Sequence, residues 1–317
     1  MIKWLVIGVG DITTKRVLPA IMEEERSKLV GIVTRDPAKA EPYDTPGFTD
    51  LRTALAKSGA DAVYVASPVF MHAPQTMVSL REGRHVLCEK PMAMNYKEAR
   101  MMVDTAEACG RILGVAYYRR TYPKVHRAME LIQEGVIGQP TLAYASSHGW
   151  FTAEDGWRAW LLDPDKAGGG PLYDIASHRI DLLNFMFGQP MRVRAQLSNA
   201  VNQTPVEDSA TVLIEYQNNV RAIVDVRWHS HVDRDEFRII GTNGELELTP
   251  LNGPRLVSPE GREDLPTHKN IHFPCVENFA EAILDGIPLL SSGRTALWTD
   301  WVTEQAVKDD RRSAARI

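Results

Sequence analysis

Lys3-Trp4-Leu5-Val6-Ile7-Gly8-Val9-Gly10-Asp11-Ile12-Thr13 opens the chain with an apolar run of strand length that closes on a glycine. A parallel strand buried on both faces leaves this kind of run in a sequence. Gly8 permits a tight turn, and Gly10 lets the backbone approach a pyrophosphate. The start of a helix predicted over Thr13 to Glu25 offers free N–H groups to that anion. The pattern G-x-G-x-x-G/A is met at its first two places and carries Thr13 at the third, where a larger side chain should push the helix off the strand. A structural turn without a ligand is the competing reading. If a dinucleotide binds, Gly8, Gly10, Asp11 and Ile12 are expected to hold it.

The same texture continues outward. Lys28 to Val33, Asp61 to Ala66, His85 to Cys88 and Ile112 to Ala116 read as strands. Asp36 onward, Thr49 to Ser58, His72 to Glu82 and Tyr96 to Cys109 read as helices. Such alternation predicts an α/β fold, a doubly wound Rossmann domain with a mostly parallel sheet, over residues 1–120. Beyond it the pattern changes. Helices over Tyr122 to Gln133 and Pro171 to Phe187 are followed by β-like runs at Met191 to Ser198, Ala210 to Tyr216, Val220 to His231, Glu236 to Gly241 and Glu245 to Thr249. Thr141 to His148 reads as another strand, and short turns such as Thr242-Asn243-Gly244 argue antiparallel pairing. Residues 121–317, closed by helices near Cys275 to Leu284 and Thr295 to Arg311, are therefore expected to form an α+β domain for substrate binding and oligomerisation.

Composition narrows the partners. The 317 residues carry 36 basic and 41 acidic side chains, a net charge of -5, so no general attraction to nucleic acid or an anionic membrane is expected. Cys88, Cys109 and Cys275 are odd in number and show no Cys-x-x-Cys pattern, which argues against a disulfide framework or a zinc site. With no signal-like or membrane-length apolar stretch, a cytoplasmic protein acting on a small molecule is expected.

Several positions carry possible chemistry. The end of the second strand separates the two nicotinamide cofactors, and here it reads Val33-Thr34-Arg35. A hydroxyl and a guanidinium suit a 2'-phosphate, so NADP is expected over NAD, although Asp36 is adjacent and Arg35 also reads as a solvated loop charge. Glu89-Lys90-Pro91 follows a strand end, where the ligand crevice of a doubly wound sheet lies. Pro91 stiffens that turn, so Lys90 could polarise a carbonyl or hydroxyl; a solvated surface lysine is the alternative. Within Gly168-Gly169-Gly170-Pro171-Leu172-Tyr173-Asp174-Ile175-Ala176-Ser177-His178, a flexible glycine run precedes a helix on which Asp174 and His178 are four apart. Imidazole exchanges protons near neutral pH and a neighbouring carboxylate can orient it, while a helix surface pair is the bland reading.

Taken with Val63-Tyr64-Val65-Ala66-Ser67-Pro68, His72, the run Gly83-Arg84-His85-Val86-Leu87-Cys88-Glu89-Lys90-Pro91 and Ile240-Gly241-Thr242-Asn243-Gly244, these motifs resemble the Gfo/Idh/MocA oxidoreductases, in family order along nearly the whole chain. The resemblance implies a Rossmann domain followed by an α+β domain with an open, largely antiparallel sheet. It also implies hydride transfer between a nicotinamide cofactor and a secondary hydroxyl or carbonyl of a sugar, polyol or related diol bound between the domains. Lys90 then matches the catalytic lysine, Asp174 the substrate-orienting aspartate and His178 the proton-transferring histidine. Arg120 matches a frequent arginine expected to contact substrate, and Ser67, Pro68, His72, Glu89 and Lys90 add cofactor contacts. The departures are Thr13, and Tyr118 where many relatives have asparagine.

A nicotinamide-sensing regulator without turnover is the alternative from another class, and the retained Lys90, Asp174 and His178 argue against it. No nucleophile–base pair for hydrolysis is evident. Between dihydrodiol or xylose activity and inositol or glucose activity, the sequence does not choose. His229 and His231 with Asp233 and Asp235 could suggest a metal, but strand alternation explains their spacing, and no metal is expected. Trp150, Trp157 and Trp160 could wall the pocket or simply pack. An open sheet implies a homodimer or homotetramer.

Overall fold

The computed structural model describes residues 1–153 and 158–314. Two compact units emerge, Met1–Tyr118 with His268–Leu297, and Arg119–Thr267 with Trp298–Ile317. The first holds β1 (Ile2–Ile7), β2 (Ser27–Val33), β3 (Gly47–Phe48), β4 (Ala62–Val65), β5 (His85–Cys88) and β6 (Leu113–Val115) in the order β3-β2-β1-β4-β5-β6. Every pairing between these strands is parallel. Along β1 the side chains alternate between two cores: Leu5 and Ile7 enter one cluster, Trp4 and Val6 the other. Both faces are thus covered, as the unbroken apolar run requires. The order reverses between β1 and β4, so the carboxyl ends of these two strands bound the ligand crevice of such a sheet.

The helices of this unit's N-terminal stretch are α1 (Leu18–Glu23), α2 (Leu51–Ser58), α3 (His72–Arg81) and α4 (Tyr96–Ala108). Asp50 caps α2 by accepting from the Thr53 N–H at 2.7 Å, and Asn95 caps α4 through the Glu98 N–H at 3.0 Å. The helix expected from Thr13 starts instead as a wide π turn over Thr13–Val17 before α1, with the Thr13 side chain fully buried.

The second unit contains α5 (Pro123–Gln133), β7 (Pro140–Trp150), α6 (Pro164–Ala167) and α7 (Ser177–Phe187). It continues with β8 (Pro190–Ser198), β9 (Ser209–Tyr216), β10 (Arg221–Arg227), β11 (His229–Gly241), β12 (Glu245–Glu247), β13 (Arg255–Ser258) and β14 (Gly261–Asp264). The strand order is β14-β13-β12-β11-β7-β10-β9-β8, antiparallel throughout except for β7 with β10. Val220 to His231 is not one strand: the chain breaks at Trp228, which carries it from β10 on one side of β7 to β11 on the other. Buried Ala210, Val212, Ile214, Ala222, Val224 and Val226 line one face. On the other, Leu213, Ile223 and Tyr144 form a half-buried apolar row flanked by Arg194 and Arg238.

Residues 268–297, which the sequence reading assigns to the second domain, count with the first unit. The reason is α8 (Phe273–Leu284), whose Cys275, Val276, Phe279 and Ala280 complete the core cluster around Trp4. The Phe279 ring lies 5.5 Å from the Trp4 ring. Fully burying a side chain of this size contributes about 1.5–3 kcal/mol. The last helix, α9 (Gly293–Ala314), contributes residues to both units.

Candidate functional site

Gly8 has φ of +93°, and a Cβ there would fall 2.6 Å from the Ala66 carbonyl oxygen. Only glycine suits both conditions. A Cβ on Gly10 would meet no heavy atom within 4 Å, so the backbone is open on that side. The first amides of the following helix have no intrahelical acceptor and can bind an anion. This cradle fits a dinucleotide diphosphate. Replacing Gly8 by alanine is expected to weaken cofactor binding by about tenfold or more, since overpacking of about 1–3 kcal/mol falls directly on the turn. Cofactor titration followed by fluorescence, with a parallel melting curve, checks this.

Asp11 pairs with Lys15 at 2.6 Å on the exposed surface, and Ile12 is 39% exposed beside the cradle. At the end of β2, Arg35 is exposed and Thr34 half-buried. The Asp36 carboxylate accepts from the Ala38 N–H at 3.2 Å and so caps the next helical turn. After β4, the Ser67 hydroxyl donates to Gln75 at 2.6 Å, and Pro68 is exposed.

His72 and Glu89, both expected at the cofactor, are buried and engaged within the first unit. His72 bridges two loops, with Nδ1 2.9 Å from the Pro91 carbonyl and Nε2 2.8 Å from the Ser67 carbonyl. Burial lowers its pKa against the smaller opposing effect of these carbonyls, and a neutral ring donates at only one of them. The Glu89 carboxylate accepts from the Tyr64 hydroxyl at 2.8 Å and lies 3.2 Å from His272 Nε2. Lys90 is half-buried at the end of β5, joined to Pro91 through a cis peptide bond.

In the second unit, the glycine run is closely packed. Tyr173 lies over Gly168 and Gly169, where a Cβ would fall 2.7 and 2.4 Å from its ring, and Gly170 is pressed against the Glu207 carbonyl. The helix that follows opens with a π turn over Leu172–Ala176, so the expected four-residue α spacing of Asp174 and His178 spans a change of helix type. His178 lies in the first turn of α7 and is 6% exposed. The Asp174 carboxylate is partly exposed and 3.7 Å from Arg158, whose guanidinium lies 4.5 Å over the Phe151 ring. Phe151 in turn stacks on Trp228 at 4.2 Å.

Arg120, expected to touch substrate, is wholly buried. It donates to Asp181 through Nε at 2.8 Å and Nη2 at 2.5 Å, an internal bidentate pair. His229 and His231 are also accounted for locally: His229 lies 3.8 Å from Asp208, and His231 stacks on Trp150 at 4.0 Å. Asp235 pairs with Arg179 at 2.6 Å. Trp160 is half-buried in a short turn, and Trp157 lies outside the described residues.

Comparison with known proteins gives these features a context. Residues 2–117 match the model of the oxidoreductase family with an NAD-binding Rossmann fold, and residues 125–247 match the GFO/IDH/MocA C-terminal domain. The chain belongs to the Gfo/Idh/MocA oxidoreductases. Among its Gfo/Idh/MocA relatives is 1,5-anhydro-D-fructose reductase of Ensifer adhaerens, 28% identical over 94% of this chain and 93% of that one. D-xylose 1-dehydrogenase [NADP(+)] of Haloarcula marismortui is 27% identical over 78% and 72% of the two chains. The aldose-aldose oxidoreductase of Caulobacter crescentus shares the fold, with a TM-score of 0.88 at 24% identity over 98% of each chain.

Sequence reasoning did not single out His272 or Arg158, and quoted Tyr64 in a motif without its contact to Glu89. His272 lies 183 positions from Glu89 and carries no local signature beyond the Phe273-Pro274 helix start.

Proposed function

We propose that this chain is an NADP-preferring dehydrogenase or reductase acting on a secondary hydroxyl or carbonyl of a sugar, polyol or related diol. The observation that carries the reading is the open glycine cradle after β1, in a sheet whose β5 leads through Glu89 into Lys90. Gly8, Gly10 and the amides from Asp11 onward would hold the diphosphate. Thr34 and Arg35 would take the 2'-phosphate, a role supported by Asp36 being engaged in its cap and by the NADP(+) in a relative's name. When bound, the nicotinamide supplies or accepts the hydride.

The remaining work falls to this chain's side chains. Lys90 donates a hydrogen bond to the substrate oxygen, His178 takes its proton during oxidation and returns it during reduction, and Asp174 orients the substrate. Arg120 has no part in this scheme beyond holding Asp181. The half-buried row of Leu213, Ile223 and Tyr144, ringed by charge, supports assembly of copies through the sheet face. Cys88, Cys109 and Cys275 as reduced thiols suit a reducing, cytoplasmic setting, and among the described residues no helix is long and apolar enough to cross a membrane.

The test is absorbance at the nicotinamide band with 1,5-anhydro-D-fructose, D-xylose, D-glucose and myo-inositol, each with both cofactors. Turnover is expected with at least one, with a higher kcat/KM for the phosphorylated cofactor and loss of that preference in Arg35→Ala. Cofactor binding without redox change on the whole panel would favour a sensor and sink the enzyme reading.

A further inference from the structure

Glu89 is 8% exposed, an unusual place for a charge unless its partners are built in. Among the described residues three donors surround its carboxylate. The Tyr64 hydroxyl and His272 Nε2 reach Oε1 at 2.8 and 3.2 Å, and the backbone N–H of Lys90 reaches Oε2 at 3.2 Å. His272 is 1% exposed, and the Tyr118 ring lies 4.8 Å from its own. Among the described residues its Nδ1 has no hydrogen-bond partner.

Burial alone would push the Glu89 carboxyl up; the hydrogen bond and charge of His272, then Tyr64 and the nearby Lys90 charge, outweigh it and hold it lowered. The ionisable groups facing this carboxylate are Tyr64 from β4, His72 from α3, Lys90 and His272, with Cys88 and Cys275 beside Tyr64. Stability alone does not call for this arrangement, because apolar replacements of a buried pair are often neutral or better. The turn is pinned on its other flank by His72 on the Pro91 carbonyl.

We infer that His272 and Glu89 are positioning residues for Lys90: together they fix its backbone through the Glu89 carboxylate that accepts from the Lys90 N–H. The inference rests on the reading of Lys90 as the group that contacts the substrate oxygen. His272 acts only through Glu89, and Glu89 through the Lys90 turn.

The test uses the full chain with His272→Leu, His272→Gln, Glu89→Gln and Lys90→Ala. The assay substrate is whichever panel sugar the wild type turns over. His272→Leu and Glu89→Gln are expected to lower kcat by about ten- to a hundredfold, the effect of a misplacement near 1 Å, with KM changed less than threefold. His272→Gln, whose amide can donate from the Nε2 position, should restore most of the loss. A readout without turnover is trace acetylation at pH 8 followed by peptide mass spectrometry, with exposed Lys57 as the internal standard. Lys90 should react several-fold faster in His272→Leu and Glu89→Gln than in wild type. A lowered melting temperature with wild-type kcat and an unchanged Lys90 acetylation rate would overturn the inference. Wild-type turnover in Lys90→Ala would overturn the functional reading itself, and the positioning role with it; a dead Lys90→Ala beside an unaffected His272→Leu removes only the positioning role. If His272→Leu does not fold, Glu89→Gln and His272→Gln decide alone.

Discussion

Replacing His178 by alanine is expected to lower kcat by about 10²- to 10⁴-fold, the range that a positioned proton-transfer group contributes. The reason lies in the residue's setting as much as its type. His178 sits in the first turn of α7 and is 6% exposed, so water has little access from which to replace the lost imidazole. An interaction used only as the proton moves lowers kcat and kcat/KM together, and the cofactor affinity should stay at the wild-type value because His178 is no part of the glycine cradle. Steady-state kinetics with the preferred sugar and cofactor, with cofactor titration alongside, measures all three. Turnover of the variant within threefold of wild type would remove His178 from the mechanism. A loss confined to KM would reassign it to substrate binding.

The sequence made the first unit legible because its strands are buried on both faces, so each leaves a continuous apolar run, and because Gly8 stands where only glycine fits. The place of Lys90 just after β5 was readable for the same reason, since the apolar run His85 to Cys88 marks where that strand ends. Contacts made over long separations were not. His272 reaches Glu89 across 183 positions, and residues 268–297 return to the first unit through packing of Phe279 on Trp4, which no local pattern encodes. Trp228 is a similar case. Nothing between Val220 and His231 marks a turn, yet β10 and β11 flank β7 on opposite sides, so the chain must cross its end there. The β13–β14 hairpin escaped notice because its strands, Arg255–Ser258 and Gly261–Asp264, are short and mostly polar. Arg120, which the motif position suggests as a ligand contact, is buried against Asp181, a partner 61 positions away that no local pattern announces.

That pair carries the largest expected effect on stability. Arg120 and Asp181 are each 1% exposed and joined by two charge-assisted hydrogen bonds. Thr299 donates to Asp181 at 3.3 Å, and Tyr216 donates to Asn184 at 2.9 Å beside it. Arg120→Met would leave the carboxylate buried without its main cation and is expected to cost about 3–5 kcal/mol in denaturant unfolding at pH 7. Asp181→Asn, which strands the guanidinium, should cost a similar amount. Burial already raises the Asp181 pKa, with Arg120 and Thr299 opposing it. The sign of the pH dependence follows. A carboxyl whose folded pKa lies above the unfolded value binds its proton more tightly when folded, so its charge weakens the fold at neutral pH and the weakening is relieved as pH falls. Losing Arg120 can only raise that pKa further, so the gap between wild type and Arg120→Met should narrow from pH 7 toward pH 5. The double variant Arg120→Met/Asp181→Leu, with no charge left to bury, should recover most of the loss. A gap that stayed constant with pH, or a double variant no better than either single one, would show that the pair acts through packing, including the Arg120 stack on Phe185, rather than through its charges.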